Sequence, residues 1–212
     1  MPWRNQKPLF ILFEGGEGSG KTTQATLLFH GLKRIGRRVK YNDEPGSTNA
    51  GFKIRTVLLE DSKGELDPFS EFLLFESDRA VDFRVNIIPA LESGADVVQD
   101  RNFGSTFAYQ GYGRGLIKTH AKLMKFVDKA ARRGVFPDVI FLLDGDPKRL
   151  FRRIKKITSY EKEKLAFHEL VRKGFLAQAR ADRRRWVILD ALKPTSVLHD
   201  QIWKRVEKLI DG

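Results

Sequence analysis

The sequence contains no cysteine, which excludes disulfide bonds and thiolate metal sites in this chain of 212 residues. It also has no apolar run near the roughly 20 residues that a membrane-spanning helix needs. The apolar stretch at residues 9–13 is too short for the hydrophobic core of a signal peptide. We therefore expect a soluble, cytoplasmic protein without a membrane partner.

Negative charge is scarce in one part of the chain. The net charge is +12, and residues 147–185 alone hold 14 lysines and arginines against four acids. Such a segment can bind nucleic acid, form a mobile lid over nucleotide phosphates, or simply be a solvated helical face. The sequence shows no helix-turn-helix, zinc or aromatic stacking pattern, so we regard nucleic acid as the weakest of the three.

A phosphate-binding pattern lies near the N-terminus. Residues 14–24 read EGGEGSGKTTQ and contain G-x-x-x-x-G-K-[ST], the P-loop pattern. Glycine permits positive φ, so the backbone N–H groups of such a loop can converge on phosphate. An apolar run precedes the loop and helical spacing follows it, as the motif requires. The predicted ATP-binding residues are Gly15, Gly16, Gly18, Ser19, Gly20, Lys21, Thr22 and Thr23.

Short apolar runs alternate with helical patterns along the chain. We expect strands at 8–14, 37–42, 95–100, 138–144 and 186–190, and a polar loop after the third of them. Helices are expected at 21–36, 67–94 with a break near Pro89, 120–134, 163–180 and 195–210. This alternation predicts a single α/β P-loop domain over residues 1–212, a three-layer sandwich whose five-stranded parallel sheet is flanked by helices. Ligands should bind at the carboxyl ends of the strands.

The residues at those strand ends favour a kinase over other P-loop proteins. Arg101 directly follows Asp100 where a motor-type ATPase has a second acid, and a cation there suits an anionic acceptor better than water activation. The N-K-x-D signature of GTPases is absent, and no candidate Ser/His/Asp triad is evident.

Four segments together resemble the thymidylate kinase family. They are FEGGEGSGKTTQ (13–24), EPGST (44–48), LLFESDRA (73–80) and DRNFGSTFAYQGYGRG (100–115), and they occur in the family's order. The last is the most specific and is similar to the bacterial type. The resemblance implies a dTMP kinase that uses ATP and Mg²⁺ to make dTDP for dTTP biosynthesis, as a homodimer packed through helices.

The resemblance also implies how the acceptor is bound. Phe75 would stack on the pyrimidine, and Arg79, one helical turn later, would reach its O4 edge. Thr106 would contact the base, Tyr109 would crowd the 2′ position of the sugar, and Glu17 would accept a hydrogen bond from the 3′-hydroxyl. The predicted substrate-binding residues are Glu17, Arg55, Phe75, Arg79, Arg101, Ser105, Thr106, Tyr109 and Gln110.

The remaining implied roles concern phosphoryl transfer. Lys21 and Arg101 would stabilise the phosphates, and Thr22 and Asp100 would hold Mg²⁺, directly or through water. A basic lid at about residues 151–164 would close over ATP, with Arg153 as its catalytic contact. The predicted catalytic residues are Lys21, Arg101, Arg153 and Glu17.

The sequence departs from the family at two places. Asp43 stands where the family usually has an arginine before E-P-G, and Arg55 is the substitute we expect at the acceptor phosphate. The lid segment has the basic residues but lacks a G-x-x-D-R-like motif. Asp43 keeps one alternative open, a kinase for another deoxynucleoside monophosphate such as dUMP or dCMP. The basic segment at 147–185 keeps a second one open, a basic P-loop ATPase bound to nucleic acid.

Overall fold

The computed structural model describes residues 7–61, 65–154 and 163–211. Within these residues lies one sheet of five parallel strands in the order β2-β3-β1-β4-β5. The strands are β1 (Phe10–Gly15), β2 (Val39–Asp43), β3 (Asp96–Asp100), β4 (Val139–Asp144) and β5 (Trp186–Asp190). The predicted five-stranded parallel sheet is confirmed.

Helices cover both faces of the sheet. They are α1 (Lys21–Arg34), α2 (Asn49–Thr56), α3 (Pro68–Asp82), α4 (Ile88–Glu92), α5 (Phe103–Thr106), α6 (Ile117–Ala131), α7 (Pro147–Phe151), α8 (Leu165–Ala181) and α9 (Thr195–Asp211). Wider, π-helical turns occupy Val57–Asp61, Phe83–Ile87 and Phe107–Gly113. No helix in the described part of the chain is both long and apolar enough to cross a membrane.

The alternation of side chains along the strands creates the layers. Ile11 and Phe13 of β1 face one side, where they join a core with α1 and α9. Leu12 faces the other side and packs with Phe175 of α8. Successive strand residues point to opposite faces, and here the residues on both faces of β1 are apolar and buried, as a sheet covered on both sides requires.

Two expectations about secondary structure were wrong. The segment after β3 is not a polar loop: Phe103–Gly113 is helical, because its apolar residues pack on α8. The approach is close, since a Cβ at Gly174 would lie 2.9 Å from the Cα of Ala108. The long helix is also interrupted earlier than expected, at Phe83–Ile87, while Pro89 lies in the first turn of α4, where proline is tolerated.

The sheet topology brings the chemically important segments to one edge. β1, β2 and β3 run parallel to one another, so the residues that follow them all emerge at the carboxyl edge of the sheet. Asp43 and Asp100, the last residues of β2 and β3, are direct register partners.

Candidate active site

The P-loop connects β1 to α1, and its glycines are needed for their backbone shape. Gly18 and Gly20 have φ of +70° and +89°. A Cβ at Gly18 would lie 2.5 Å from the carbonyl oxygen of Leu150. Lys21 is buried, and its Nζ donates to the carbonyl oxygen of Gly16 at 2.9 Å. The lysine ammonium is therefore held over the loop whose N–H groups can bind phosphate.

Thr22 and Asp100 form a pair of oxygen donors beside the loop. The Thr22 hydroxyl donates to Oδ2 of Asp100 at 2.5 Å. The other carboxylate oxygen, Oδ1, is buried and has no hydrogen-bond partner among the described residues. Hydroxyl and carboxylate oxygens are the ligands that Mg²⁺ prefers, so these two side chains fit the ion.

Arg101 lies at the centre of the site. Its φ of +66° is unusual for a residue with a side chain. Its guanidinium donates to Glu17 at 2.7 Å and to the Ser105 hydroxyl at 3.0 Å. Tyr109 donates its hydroxyl to the same oxygen of Glu17 at 2.7 Å. Burial favours a higher pKa for Glu17, but the charges of Arg101 and Lys21 and the tyrosine hydrogen bond outweigh it and lower the pKa to about 2.

Glu14 is a buried residue of this site to which the sequence analysis gave no role. Its carboxylate accepts from the backbone N–H groups of Asn102 and Ser105, both at 3.0 Å, and from the Ser105 hydroxyl at 2.6 Å. Burial raises the pKa of Glu14 to about 7 despite these hydrogen bonds. Glu14 thus joins β1 to the start of α5 and fixes the backbone next to Arg101. The only feature of the sequence that could have indicated a role for Glu14 is that an acid ends an apolar run.

A cavity of about 240 Å³ opens next to Arg101. Its lining includes all nine residues predicted to bind the acceptor, together with Thr22, Asp43 and Asp100. Phe75 is half-buried on this wall and belongs to none of the hydrophobic clusters of the core. The structure therefore brings the predicted acceptor residues to one place, from segments that lie up to 93 positions apart in the chain.

Arg79 lines this cavity, but its guanidinium is more deeply buried than the sequence suggested. It forms ion pairs with Glu44 at 2.5 Å and with Glu76, and it donates to the Thr106 hydroxyl at 2.8 Å. Asp128 lies 3.7 Å away. Burial raises the pKa of Glu76 to about 7 and that of Glu44 well above its usual value, although Arg79 opposes both shifts.

Two further residues of the cavity are held by neighbours. Arg55 donates to the carbonyl oxygen of Pro45 at 2.7 Å. Gln110 donates to Glu71 at 3.2 Å. Asp43 is exposed as a whole residue, but its carboxyl group is partly buried, which raises its pKa. The Arg55 charge opposes this shift, and the Asp100 charge adds to it.

A second cavity, of about 730 Å³, lies against the P-loop. It is lined by residues 17–23 in part, by Arg153 and Ile154, and by residues 192–195. Arg153 donates to the carbonyl oxygens of Ala191 at 2.7 Å and Leu192 at 3.4 Å. Glu17, Thr22 and Arg101 line both cavities. Two bound molecules would thus meet at these three side chains.

The predicted lid is described only in part. Residues 151–154 and 163–164 belong to the described chain, whereas Lys155 and Lys156 lie outside it. The closing of a basic lid remains a prediction from the sequence.

Comparison with known proteins gives a consistent result. A family model described as thymidylate kinase matches residues 13–202. A thymidylate kinase of Pelotomaculum thermopropionicum is 39% identical over 210 residues, covering 97% of this chain and 96% of that protein. One of Caldanaerobacter subterraneus is 37% identical, covering 96% and 97%. The crystal structure of thymidylate kinase from Ehrlichia chaffeensis superposes with a TM-score of 0.76 at 32% identity, covering 94% and 98%.

Proposed function

Because the chain belongs to the thymidylate kinase family, we infer that it transfers a phosphoryl group from ATP to dTMP and releases dTDP and ADP. One observation carries this function: two cavities share a wall formed by Glu17, Thr22 and Arg101, and the P-loop lies on that wall. A donor and an acceptor bound on either side would place their phosphates at Arg101. The comparisons give no support to the alternative acceptors or to a nucleic-acid-bound ATPase.

The acceptor is proposed to lie with its phosphate toward Arg101 and its base toward Phe75. The half-buried ring of Phe75 offers a flat apolar surface for a pyrimidine. Thr106 would contact the base edge, and Arg79 would polarise and fix that hydroxyl, to which it already donates. Direct contact between Arg79 and O4 would have to coexist with its ion pairs to Glu44 and Glu76.

Glu17 and Tyr109 are proposed to select the sugar. Glu17 is ionised at neutral pH and has acceptor capacity beyond its bonds to Arg101 and Tyr109, so it can accept from a 3′-hydroxyl. The Arg101 guanidinium lies over the ring of Tyr109, and its central carbon is 5.4 Å from the centre of the ring. This contact fixes the ring on the wall of the cavity. A ribose 2′-hydroxyl would meet this ring.

Phosphoryl transfer from ATP to dTMP needs little acid–base chemistry. The attacking dTMP oxygen is already anionic, so the site must mainly position two anions and offset their repulsion. Lys21 and Arg101 supply positive charge on either side of the transferred group. We propose that Thr22 and Asp100 hold Mg²⁺, which when bound neutralises charge on the ATP phosphates.

Arg153 is proposed to act on the donor side. It lines the ATP cavity, and its bonds to Ala191 and Leu192 hold the start of the lid against the loop that closes this cavity. To touch the transferred phosphate, as the sequence analysis expects, the guanidinium must exchange these carbonyl oxygens for phosphate oxygens.

A homodimer and a cytoplasmic location are also proposed. Large apolar side chains are exposed on three neighbouring helices: Phe52 on α2 (64% exposed), Leu73 on α3 (42%) and Phe126 on α6 (71%). Exposed apolar patches of this kind commonly mark an interface between proteins. The location rests on the sequence argument alone.

The function is tested by ADP formation from Mg²⁺-ATP with dTMP, dUMP, dCMP and dGMP as separate acceptors. We expect dTMP to be the best acceptor by kcat/KM. Lys21→Ala is the blank, because it removes the P-loop cation. A better turnover with another monophosphate, or ATP binding without transfer to any of them, would overturn the proposal.

A further inference from the structure

The charged side chains that line the acceptor cavity carry no net positive charge, although the cavity is proposed to bind a dianion. Its charged lining residues in the described chain are four acids and three arginines, namely Glu17, Asp43, Glu44, Asp100, Arg55, Arg79 and Arg101. A phosphate monoester would add about two further negative charges near neutral pH. A cavity of this composition needs another source of positive charge.

Two of the three arginines that line the cavity are already paired with acids. Arg79 is paired with Glu44 at 2.5 Å and Arg101 with Glu17 at 2.7 Å. Of the charged lining residues, this leaves Arg55 against two carboxylates, Asp43 and Asp100.

Those two carboxylates are neighbours by the register of the sheet. Asp43 ends β2 and Asp100 ends β3, and the two residues are direct partners in the parallel pair. Adjacent strands lie about 4.8 Å apart, and register partners point their side chains to the same side. Both residues line the acceptor cavity. Like charges so placed repel one another unless a cation or a proton lies with them.

Asp100 carries the second observation. Only 6% of the residue is exposed, and its Oδ2 accepts from Thr22. Its Oδ1 is buried and without a hydrogen-bond partner within residues 7–61, 65–154 and 163–211. A buried carboxylate oxygen usually has a partner, so an unpartnered one points to a bound group, and this is the same Oδ1 that is proposed above to hold Mg²⁺ with Thr22.

We propose that Asp43, together with Asp100, holds a divalent cation against the phosphate of the acceptor, so that this chain binds dTMP with a metal ion before ATP arrives. This inference rests on the proposed function, because it takes dTMP as the acceptor. Mg²⁺ commonly binds one or two carboxylates together with substrate phosphate oxygens and several waters. No group of three or more His, Cys, Asp or Glu in the described chain is placed to hold a metal ion, so the proposed ion needs phosphate oxygens and waters as its further ligands.

The test is the affinity for dTMP without ATP, measured by isothermal titration calorimetry in MgCl₂ and in EDTA at equal ionic strength. Wild-type protein should bind dTMP at least about tenfold more tightly with Mg²⁺, the scale of one well-placed charge interaction. Asp43→Asn should reduce this ratio to below about threefold, a difference of less than 1 kcal/mol. Asp43→Arg, which supplies a fixed cation, should bind dTMP equally well in EDTA.

The control variant is Glu92→Gln, an exposed acid in α4, which precedes β3 and so lies toward the opposite edge of the sheet. It should keep the wild-type ratio. A second readout uses the electron paramagnetic resonance signal of free Mn²⁺, which should fall when wild-type protein and dTMP are both present and much less with Asp43→Asn. Thermal unfolding confirms that each variant is folded.

Two results would overturn the proposal. One is equal dTMP affinity of the wild type in MgCl₂ and EDTA; the other is an unchanged metal dependence in Asp43→Asn. Either result could occur while ADP formation with dTMP is intact, and then only the role of Asp43 fails. Loss of the proposed function would instead appear as absent or non-selective transfer in the acceptor panel.

Discussion

Replacing Arg79 with methionine should destabilise the protein strongly, because this arginine is the counterion of a buried acidic cluster. The Arg79 side chain is 1% exposed, and the side chains of its two closest partners, Glu44 and Glu76, are each 2% exposed. Methionine keeps most of the apolar length but removes the charge and all donors. Removing one partner of a buried ion pair typically costs about 3–5 kcal/mol, so we expect a loss of that size near neutral pH.

The loss should depend on pH in a defined direction. Without Arg79, the strongest opposition to burial is removed, and the pKa values of Glu44 and Glu76 rise further above the unfolded value of about 4.5. A folded state that binds protons more tightly than the unfolded state loses stability as pH rises through the interval between the two pKa values. Arg79→Met should therefore lose more free energy of unfolding at pH 8 than at pH 6.

Urea unfolding at these two pH values measures the effect. Arg185→Met is the matched control, because the Arg185–Asp182 pair is about one-third exposed on both sides and should contribute less than about 1 kcal/mol. A loss below about 1 kcal/mol in Arg79→Met, or a greater loss at pH 6 than at pH 8, would refute the counterion role of Arg79.

Three further predictions concern catalysis, acid stability and assembly. Lys21→Met should lower kcat at least about 100-fold in the ADP assay, as expected for a positioned charge at the transferred phosphate; a tenfold change or less would contradict that placement. Glu17 has a folded pKa of about 2 against an ordinary 4.5, so its contribution is present above pH 4.5 and is lost as pH falls toward 2. The stability advantage of wild type over Glu17→Gln in urea should thus shrink by about 2 kcal/mol between pH 6 and pH 3, and a constant difference would speak against the ion pair with Arg101. Phe126→Glu should convert a dimer to a monomer in light scattering, with Glu92→Gln as the unaffected control, and a wild-type monomer would reject the proposed interface.

The sequence was sufficient for the fold and for the segments that form the site. Strong local signals account for this: the glycine pattern around Lys21 predicts a strand–loop–helix unit, and short apolar runs that alternate with helices predict a parallel sheet. The resemblance to the thymidylate kinase family assigned positions 75, 79 and 101 to the acceptor site, and the structure brings all three to one cavity. Their chemical roles stay predictions.

What the sequence could not show is which charges pair with which. Arg79 is held by Glu44, Glu76 and Asp128, and two of these come from segments far away in the chain. Glu14 likewise meets Ser105 only because β1 lies beside β3. Periodicity predicts which face of an element is buried, but partners across elements depend on how the elements pack. The helical segment after β3 was missed for the same reason. Its many polar residues suggest a loop, and the contacts of its apolar residues with α8 depend on how the two segments pack.

The most direct measurement of the central claim is a crystal structure of the protein with dTMP bound. The account predicts the pyrimidine ring against Phe75, the 3′-hydroxyl at Glu17 and the phosphate within hydrogen-bond distance of Arg101. Density for dTMP outside the cavity beside Arg101, or with its phosphate at Phe75 and its base at Arg101, would contradict the account.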